Sequence, residues 1–300
     1  MQQNSAIILD SLTKRYNARH GIHNINLDVI SGEIFGFLGP NGAGKSTTIN
    51  TMLDILRADE GFIRILGMDS HSQAKKIHQR VGYLSGDMET DPSLTGVQYL
   101  RFVANLHGNI AHERIITLAD RLKADTATKI KHLSRGSKQK IGLIAALMHD
   151  PDILILDEPT SGLDPLMQAE FNTIIRERKG EGKTTFISSH VLSEIQSLCD
   201  RVGFIRGGKL IEVSTLSDLL QKAPRRITVH FKKETPTKSL QALEGVKNFR
   251  QEDGLAIFLY SGDMNILLKT LTEYSLQNLE IADADLEELF MSYYRNEENA

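Results

Sequence analysis

The run Ile34-Phe35-Gly36-Phe37-Leu38 stops at Gly39-Pro40-Asn41-Gly42-Ala43-Gly44-Lys45-Ser46. That octet is a full match to the phosphate-binding P-loop pattern, and it constrains the fold more than any other feature of the chain. An apolar run with no polar alternation belongs to a strand covered on both faces, as in a parallel sheet. The glycines allow the backbone to curl until successive N–H groups point inward at anionic oxygens. The helical stretch that follows turns its positive end on the same oxygens. Lys45 adds a point charge for the β and γ phosphates, and the Ser46 hydroxyl is a Mg²⁺ ligand. Gly39, Pro40, Asn41, Gly42, Ala43, Gly44, Lys45, Ser46 and Thr47 are the candidate nucleotide-binding residues, with a nucleoside triphosphate as the expected ligand.

A second apolar run, Ile153-Leu154-Ile155-Leu156, ends in Asp157-Glu158. A buried strand that stops at a carboxylate beside a P-loop places Asp157 for Mg²⁺, and Glu158 to take a proton from an attacking water. Thr184-Thr185-Phe186-Ile187 reads as a further buried strand, with helical periods over 142–147 and 171–178. Ile25, Leu27 and Val29 alternate with Asn26 and Asp28, and Gly61-Phe62-Ile63-Arg64-Ile65 alternates likewise, as half-exposed antiparallel strands do. The expected class is an α/β core, mainly parallel, with an antiparallel flank.

Between the two phosphate-site motifs lies Leu133-Ser134-Arg135-Gly136-Ser137-Lys138-Gln139-Lys140. Here the chain resembles the ABC-type ATPases, whose signature Leu-Ser-Gly-Gly-Gln stands just upstream of the Asp-Glu strand. Ser134 and Gly136 match it; Arg135 and Ser137 depart from the commonest spelling. The resemblance, which covers roughly residues 9–220, implies several roles. Tyr16 stacks on adenine. Ser134, Arg135, Gly136 and Ser137 cap the γ-phosphate held by an opposing subunit. Asp164, in Ser161-Gly162-Leu163-Asp164, couples the two sites of a dimer. His190 is the switch histidine that reaches the γ-phosphate and Glu158, so the catalytic pair is Glu158 and His190. In Val81-Gly82-Tyr83-Leu84-Ser85-Gly86-Asp87, Gly86 stands where the family has a glutamine that touches Mg²⁺. Asp87 is then the candidate replacement contact, completing a metal set of Ser46, Asp157 and Asp87.

Lys222-Ala223-Pro224-Arg225-Arg226 reads as a linker. The pattern beyond it is strand-helix-strand-strand-helix-strand, with a hairpin signal at Asp253-Gly254, the split order of a ferredoxin-like domain. A closing helix is expected over 285–294. The expected domains are an ATP-binding domain over 1–222, with a helical subdomain at about 87–140, and a small C-terminal α+β domain over 225–300 that regulates or dimerises.

Net charge is −3 over 300 residues, which argues against a basic nucleic-acid binder. The N-terminus lacks a secretion-signal pattern, and no apolar stretch approaches the ~20 residues needed to cross a bilayer. The single cysteine, Cys199, has no partner for an internal disulfide. The resemblance implies an ATP-hydrolysing subunit of an ABC transporter of the bacterial drug, antibiotic or lipid export branch. Its cofactors are ATP and Mg²⁺. Its partners are an integral membrane permease, which holds it at the inner face of the membrane, and a second ATPase subunit, identical or related. A soluble ABC-type ATPase acting on ribosomes or DNA is the alternative. Paired nucleotide domains, a long coiled coil or a basic face would mark it, and the chain has one P-loop and no heptad run.

Overall fold

The structure, a computed structural model, describes residues 4–17, 20–86, 90–108, 110–222, 224–233, 235–252 and 254–282, and all element counts are made over these. The chain divides into two compact units between Ser214 and Thr215. In chain order the first unit opens with β1 (Ser5–Arg15), β2 (Gly21–Ile30), β3 (Ile34–Leu38), α1 (Lys45–Met52), β4 (Glu60–Ile65), β5 (Met68–Asp69), α2 (Ala74–His78) and β6 (Val81–Leu84). It continues with α3 (Gly96–His107), α4 (His112–Arg121), a 3-10 turn (Ile130–His132), α5 (Arg135–Leu147) and β7 (Ile153–Asp157). It closes with α6 (Pro165–Gly180), β8 (Thr184–Ser189), α7 (Leu192–Leu198), β9 (Arg201–Arg206) and β10 (Lys209–Thr215).

Six strands form one sheet in the order β10-β9-β3-β8-β7-β6, and β9, β3, β8, β7 and β6 run parallel. Every residue of β3, β7 and β8 is buried, the physical reason β3 and residues 153–156 of β7 are unbroken apolar runs, while β8 also buries Thr184, Thr185, Ser188 and Ser189. A second, antiparallel sheet has the order β2-β1-β4-β5. Along β2 the buried residues Ile22, Ile25, Leu27 and Val29 face a shared core with Phe35, Phe37, Ile49, Ile155 and Phe186. The rings of Phe35 and Phe37 lie 5.7 and 5.4 Å from that of Phe186. Helices α3, α4 and the start of α5 occupy the segment expected to form a helical subdomain. α3 opens with a capping box in which Thr95 and Gln98 satisfy each other's backbone amides.

Gly36 has a packing reason: a Cβ there would stand 2.7 Å from Ile195 Cγ2 and 3.1 Å from Cys199 Sγ, so only glycine lets α7 lie this close to β3. Burial raises the thiol pKa of Cys199, with the charges of Asp200 and Glu33 adding to it, so it behaves as a small apolar residue.

The second unit comprises α8 (Leu216–Lys222), β11 (Arg225–Phe231), α9 (Thr237–Gln241), β12 (Val246–Glu252), β13 (Leu255–Tyr260), α10 (Met264–Thr272) and β14 (Leu276–Ala282). Its sheet has the order β12-β13-β11-β14, all neighbours antiparallel, so each β-α-β unit brackets a strand of the other. Ile227, Val229, Ala256, Phe258, Leu267 and Leu271 form its separate core. The stretch 222–226 is not simply a linker. Arg225 and Arg226 pair with Tyr260 and Leu259 as the first residues of β11, and their charges sit at the exposed start of a strand. The closing helix expected at 285–294 lies outside the described residues.

Candidate functional site

Three neighbouring parallel strands end at the same edge of the sheet, and their C-terminal residues supply the chemistry. Leu38, the last residue of β3, pairs with Ser189 of β8, and Asp157 of β7 pairs with Ser188. This register sets the P-loop after β3, Glu158 after β7 and His190 after β8 side by side, where open α/β sheets place their ligands.

The P-loop curls over α1. Gly42 and Gly44 adopt φ +79° and +109°, which a side chain would strain. Gly44 stands at the N-cap of α1, so the free amides of the first helical turn open onto the loop. Lys45 is 6% exposed, and its Nζ donates to the carbonyls of Gly39 (2.7 Å) and Pro40 (3.2 Å). The same Nζ lies 3.2 Å from Glu158 Oε1. Ser46 Oγ donates to Asp157 Oδ2 at 2.6 Å, and the buried Ser188 hydroxyl donates to Asp157 Oδ1.

Glu158 has φ +51°, an uncommon conformation for a residue with a side chain. The surroundings hold it there. Its amide donates to the carbonyl and hydroxyl of Ser188, and Gln139 Nε2 donates to the carbonyls of Glu158 and Pro159, both at 3.1 Å. His190 Nδ1 lies 2.7 Å from Glu158 Oε2, with the ring donating to the carboxylate. One carboxylate is therefore addressed by Lys45 on one oxygen and His190 on the other.

A cavity of about 470 Å³ opens along the P-loop. Tyr16, His20 and Gly21 line one side, residues from Pro40 to Thr47 the other, with Glu158 and the turn Gly207-Gly208 completing the wall. Tyr16, expected to stack on a base, is 57% exposed at this wall. A second cavity of about 540 Å³ adjoins it, where Ser46, Asp157 and Glu158 meet Tyr83, Gly86 and Arg135. Burial, with a lesser contribution from the Asp157 charge, raises the pKa of the Tyr83 phenol, whose hydroxyl donates to Asn50 Oδ1 at 3.1 Å. A Cβ at Gly86 would stand 3.6 Å from Asp157 Oδ2, so a side chain there would look onto that carboxylate. Asp87 lies outside the described residues.

Ser134 is the N-cap of α5 and accepts from the Ser137 amide at 3.2 Å, with the two hydroxyls 3.0 Å apart. It is not among the residues lining the cavity along the P-loop. Gly136 touches the loop that follows Glu158: a Cβ on it would fall 2.1 Å from Gly162 O. Asp164 caps α6 by accepting from the Met167 amide at 3.0 Å. Gln139, Ser188, His20 and the Gly207-Gly208 turn were not singled out from the sequence. Gln139 stands inside the signature string and Ser188 immediately before Ser189-His190, and those positions were the available signal.

The donor set suits a hard divalent cation. Ser46 and Asp157 converge a hydroxyl and a carboxylate beside the phosphate loop, and oxygen ligands of this kind hold Mg²⁺ together with substrate phosphates. Among the described residues no group of three or more histidines, cysteines or carboxylates forms a separate metal cage.

The ABC transporter family model matches residues 22–161. The chain is 30% identical over 292 residues to the ABC transporter ATP-binding protein YhcH of Bacillus subtilis (strain 168), covering 94% of each. It is 33% identical to the bacitracin transport ATP-binding protein BcrA of Bacillus licheniformis, over 93% of this chain and 94% of that one. Among solved structures, an ATP-binding subunit of an ABC transporter superposes with a TM-score of 0.66 at 26% identity, over 72% of this chain and 92% of the other. A dimeric ATP-binding cassette in a post-hydrolysis state with ADP and Pi shares the fold, with a TM-score of 0.65 at 22% identity over 70% and 98%. A P-loop, an Asp-Glu strand end and a serine-capped helix thus occur in a chain that YhcH and BcrA both match nearly end to end, and the chain belongs to the ABC transporter ATP-binding proteins.

Proposed function

We propose that this chain is the ATP-hydrolysing subunit of an exporter, working as a head-to-tail pair on a separate membrane permease. The observation that carries the reading is the double hold on Glu158, by Lys45 at Oε1 and His190 at Oε2. A carboxylate held between the P-loop lysine and the histidine after β8 supports a base that aligns and deprotonates a water attacking a γ-phosphate. In this reading Glu158 is the general base and His190 orients it. Lys45 and the curled amides from Gly39 to Thr47 neutralise the phosphates. Ser46 and Asp157 would hold Mg²⁺, which would supply positive charge to offset that of the phosphates. Tyr16 stacks on the base.

The exposed cap of Ser134 supports completion of each site from a second subunit, since an α5 N-terminus directed at an anion is a ready phosphate ligand. Arg135, Gly136 and Ser137 present that cap, and Asp164, in the loop after Glu158, couples the two sites of the pair. Such an arrangement suits twofold symmetry with two ATP molecules at the interface. Hydrolysis then removes the γ-phosphate contacts and lets the halves part.

The first unit offers a surface for the permease. Tyr83, Tyr99 and Val103 line a groove, and Ile55, Phe102 and Leu106 are exposed large apolar residues on or near its elements. Among the described residues no helix is long and apolar enough to cross a membrane. The BcrA relative is a bacitracin transport protein, and DrrA of Streptomyces peucetius, 31% identical over 97% of this chain, is a daunorubicin/doxorubicin resistance protein; both support an export role at the inner membrane face. The interleaved sheet of the second unit supports a ferredoxin-like domain, to which we assign a regulatory or dimerising role.

Affinity purification from membranes of the native host tests the reading. A polytopic membrane protein should co-purify, and ATP turnover in the complex should rise on adding transported compound. Recovery with ribosomes or DNA and without a membrane protein would overturn it.

A further inference from the structure

The cavity along the P-loop has two walls from different sheets, and a two-residue turn joins them. The loop between β1 and β2 is closed by the Tyr16 amide donating to His20 O at 2.9 Å, and carries Tyr16 and His20 into the cavity. The P-loop forms the opposite wall. Gly207 and Gly208, both at positive φ (53° and 76°), connect β9 to β10 as two-residue type I′ turns do. The Gly208 amide donates to Ala43 O at 2.9 Å, and Gly208 O accepts from the His23 amide at 2.7 Å. A Cβ on Gly208 would fall 2.1 Å from Gly21 O. The turn is therefore bonded to the P-loop on one side and to the start of β2 on the other, with no room between.

We propose that Gly208 is a positioning residue for nucleotide binding: its backbone sets the spacing between the wall bearing Tyr16 and the phosphate-binding loop. The inference rests on the reading of Tyr16 as the base-side contact. A ligand that spans two subsites gains from both only where their separation matches its own length, and a short rigid link keeps that match. An alanine at 208 forces the carbonyl of Gly21 away and meets a backbone conformation that disfavours a side chain. The base-side wall moves while the amides and Lys45 that grip phosphates stay in place. The contribution of the nucleoside, not of the triphosphate, is what such a shift removes.

The test compares Mg·ATP with Mg·tripolyphosphate, which engages the phosphate loop alone. Competition binding on the full chain should show Gly208→Ala losing about tenfold in ATP affinity, the scale of one lost base stack, and less than about twofold for tripolyphosphate. Equal weakening of both ligands, or an unchanged ATP affinity, overturns the proposal. Should Gly208→Ala fail to fold, amide exchange on the unmodified protein decides. The Gly208 and His23 amides should gain protection with ATP beyond that with tripolyphosphate, and equal protection overturns the idea. Tyr16→Ala separates the two readings. A preference for ATP lost in Tyr16→Ala but kept in Gly208→Ala sinks the positioning role alone. A preference kept in Tyr16→Ala sinks the base-side reading itself.

Discussion

Lys45 Nζ lies 3.2 Å from Glu158 Oε1 while donating to two carbonyls of its own loop. The lysine proposed to meet phosphates and the carboxylate proposed to activate water are thus in direct ionic contact. Both side chains are largely shielded, at 6% and 19% exposure, where such contacts are screened less than at the surface. Each holds the other to one geometry, so neutralising the carboxylate changes charge without emptying space.

Glu158→Gln tests the base with almost no change in volume. ATP binding should persist, turnover should fall by about 10²–10⁴-fold, the usual contribution of general-base catalysis, and ATP should hold the subunits as a dimer. Single-turnover hydrolysis and size-exclusion chromatography with ATP check this; near-normal turnover removes Glu158 from the role.

His190→Ala removes the donor to Glu158 Oε2. As a residue that orients the base, its loss should lower kcat by at least about tenfold and leave the affinity for ATP within about threefold. His190→Gln, which keeps a donor, should recover part of the rate. A rise in KM at constant kcat would show that His190 serves binding instead.

Gly136→Ala places a methyl 2.1 Å from Gly162 O, and backbone must move to admit it. Overpacking of this kind costs about 1–3 kcal/mol, and the start of α5 should shift against the loop after Glu158. Urea unfolding should show the loss, and ATP-dependent dimerisation should weaken. Gly180→Ala, with nothing within 4 Å of the added carbon, serves as the comparison and should stay within about 0.5 kcal/mol.

His149 contributes to the acid sensitivity of the fold. Burial and then the neighbouring His107, whose ring stacks at 3.9 Å, lower its pKa to about 4. Unfolding returns it to the ordinary value near 6.5, so the unfolded chain binds the proton first as pH falls. Its contribution is neutral above pH 6.5 and destabilises progressively between 6.5 and about 4. Discounted for partial exposure, the loss by pH 5 is about 1 kcal/mol. Denaturant titrations at pH 7 and 5 should show His149→Gln losing less stability than the parent chain over that interval, and an identical loss would place the acid sensitivity elsewhere.

The central sheet and the phosphate end of the site were legible because their causes are local. Strands buried on both faces leave unbroken apolar runs at 34–38 and 153–156 and a β-branched and aromatic run at 184–187, and a glycine-rich loop announces its curl in its composition. What the sequence hid depends on which strands become neighbours. Ser188 reaches Asp157 only because β8 lies beside β7, and Gly208 reaches Ala43 only because β9 lies beside β3. Gln139 acts through two backbone carbonyls, a role that no spacing rule marks. Arg225 and Arg226 resemble a linker because two charges follow a proline, though both sit within a paired strand.

The bare contact of Gly136 with Gly162 has a mechanical consequence. Two main-chain segments bear on each other there with no side chain to absorb displacement. One opens α5, the helix proposed to face a neighbouring subunit; the other belongs to the loop trailing Glu158. A shift on spending ATP in one half-site would pass to the opposing half-site with little slack, so the pair would register each other's state through the rigidity of two glycines.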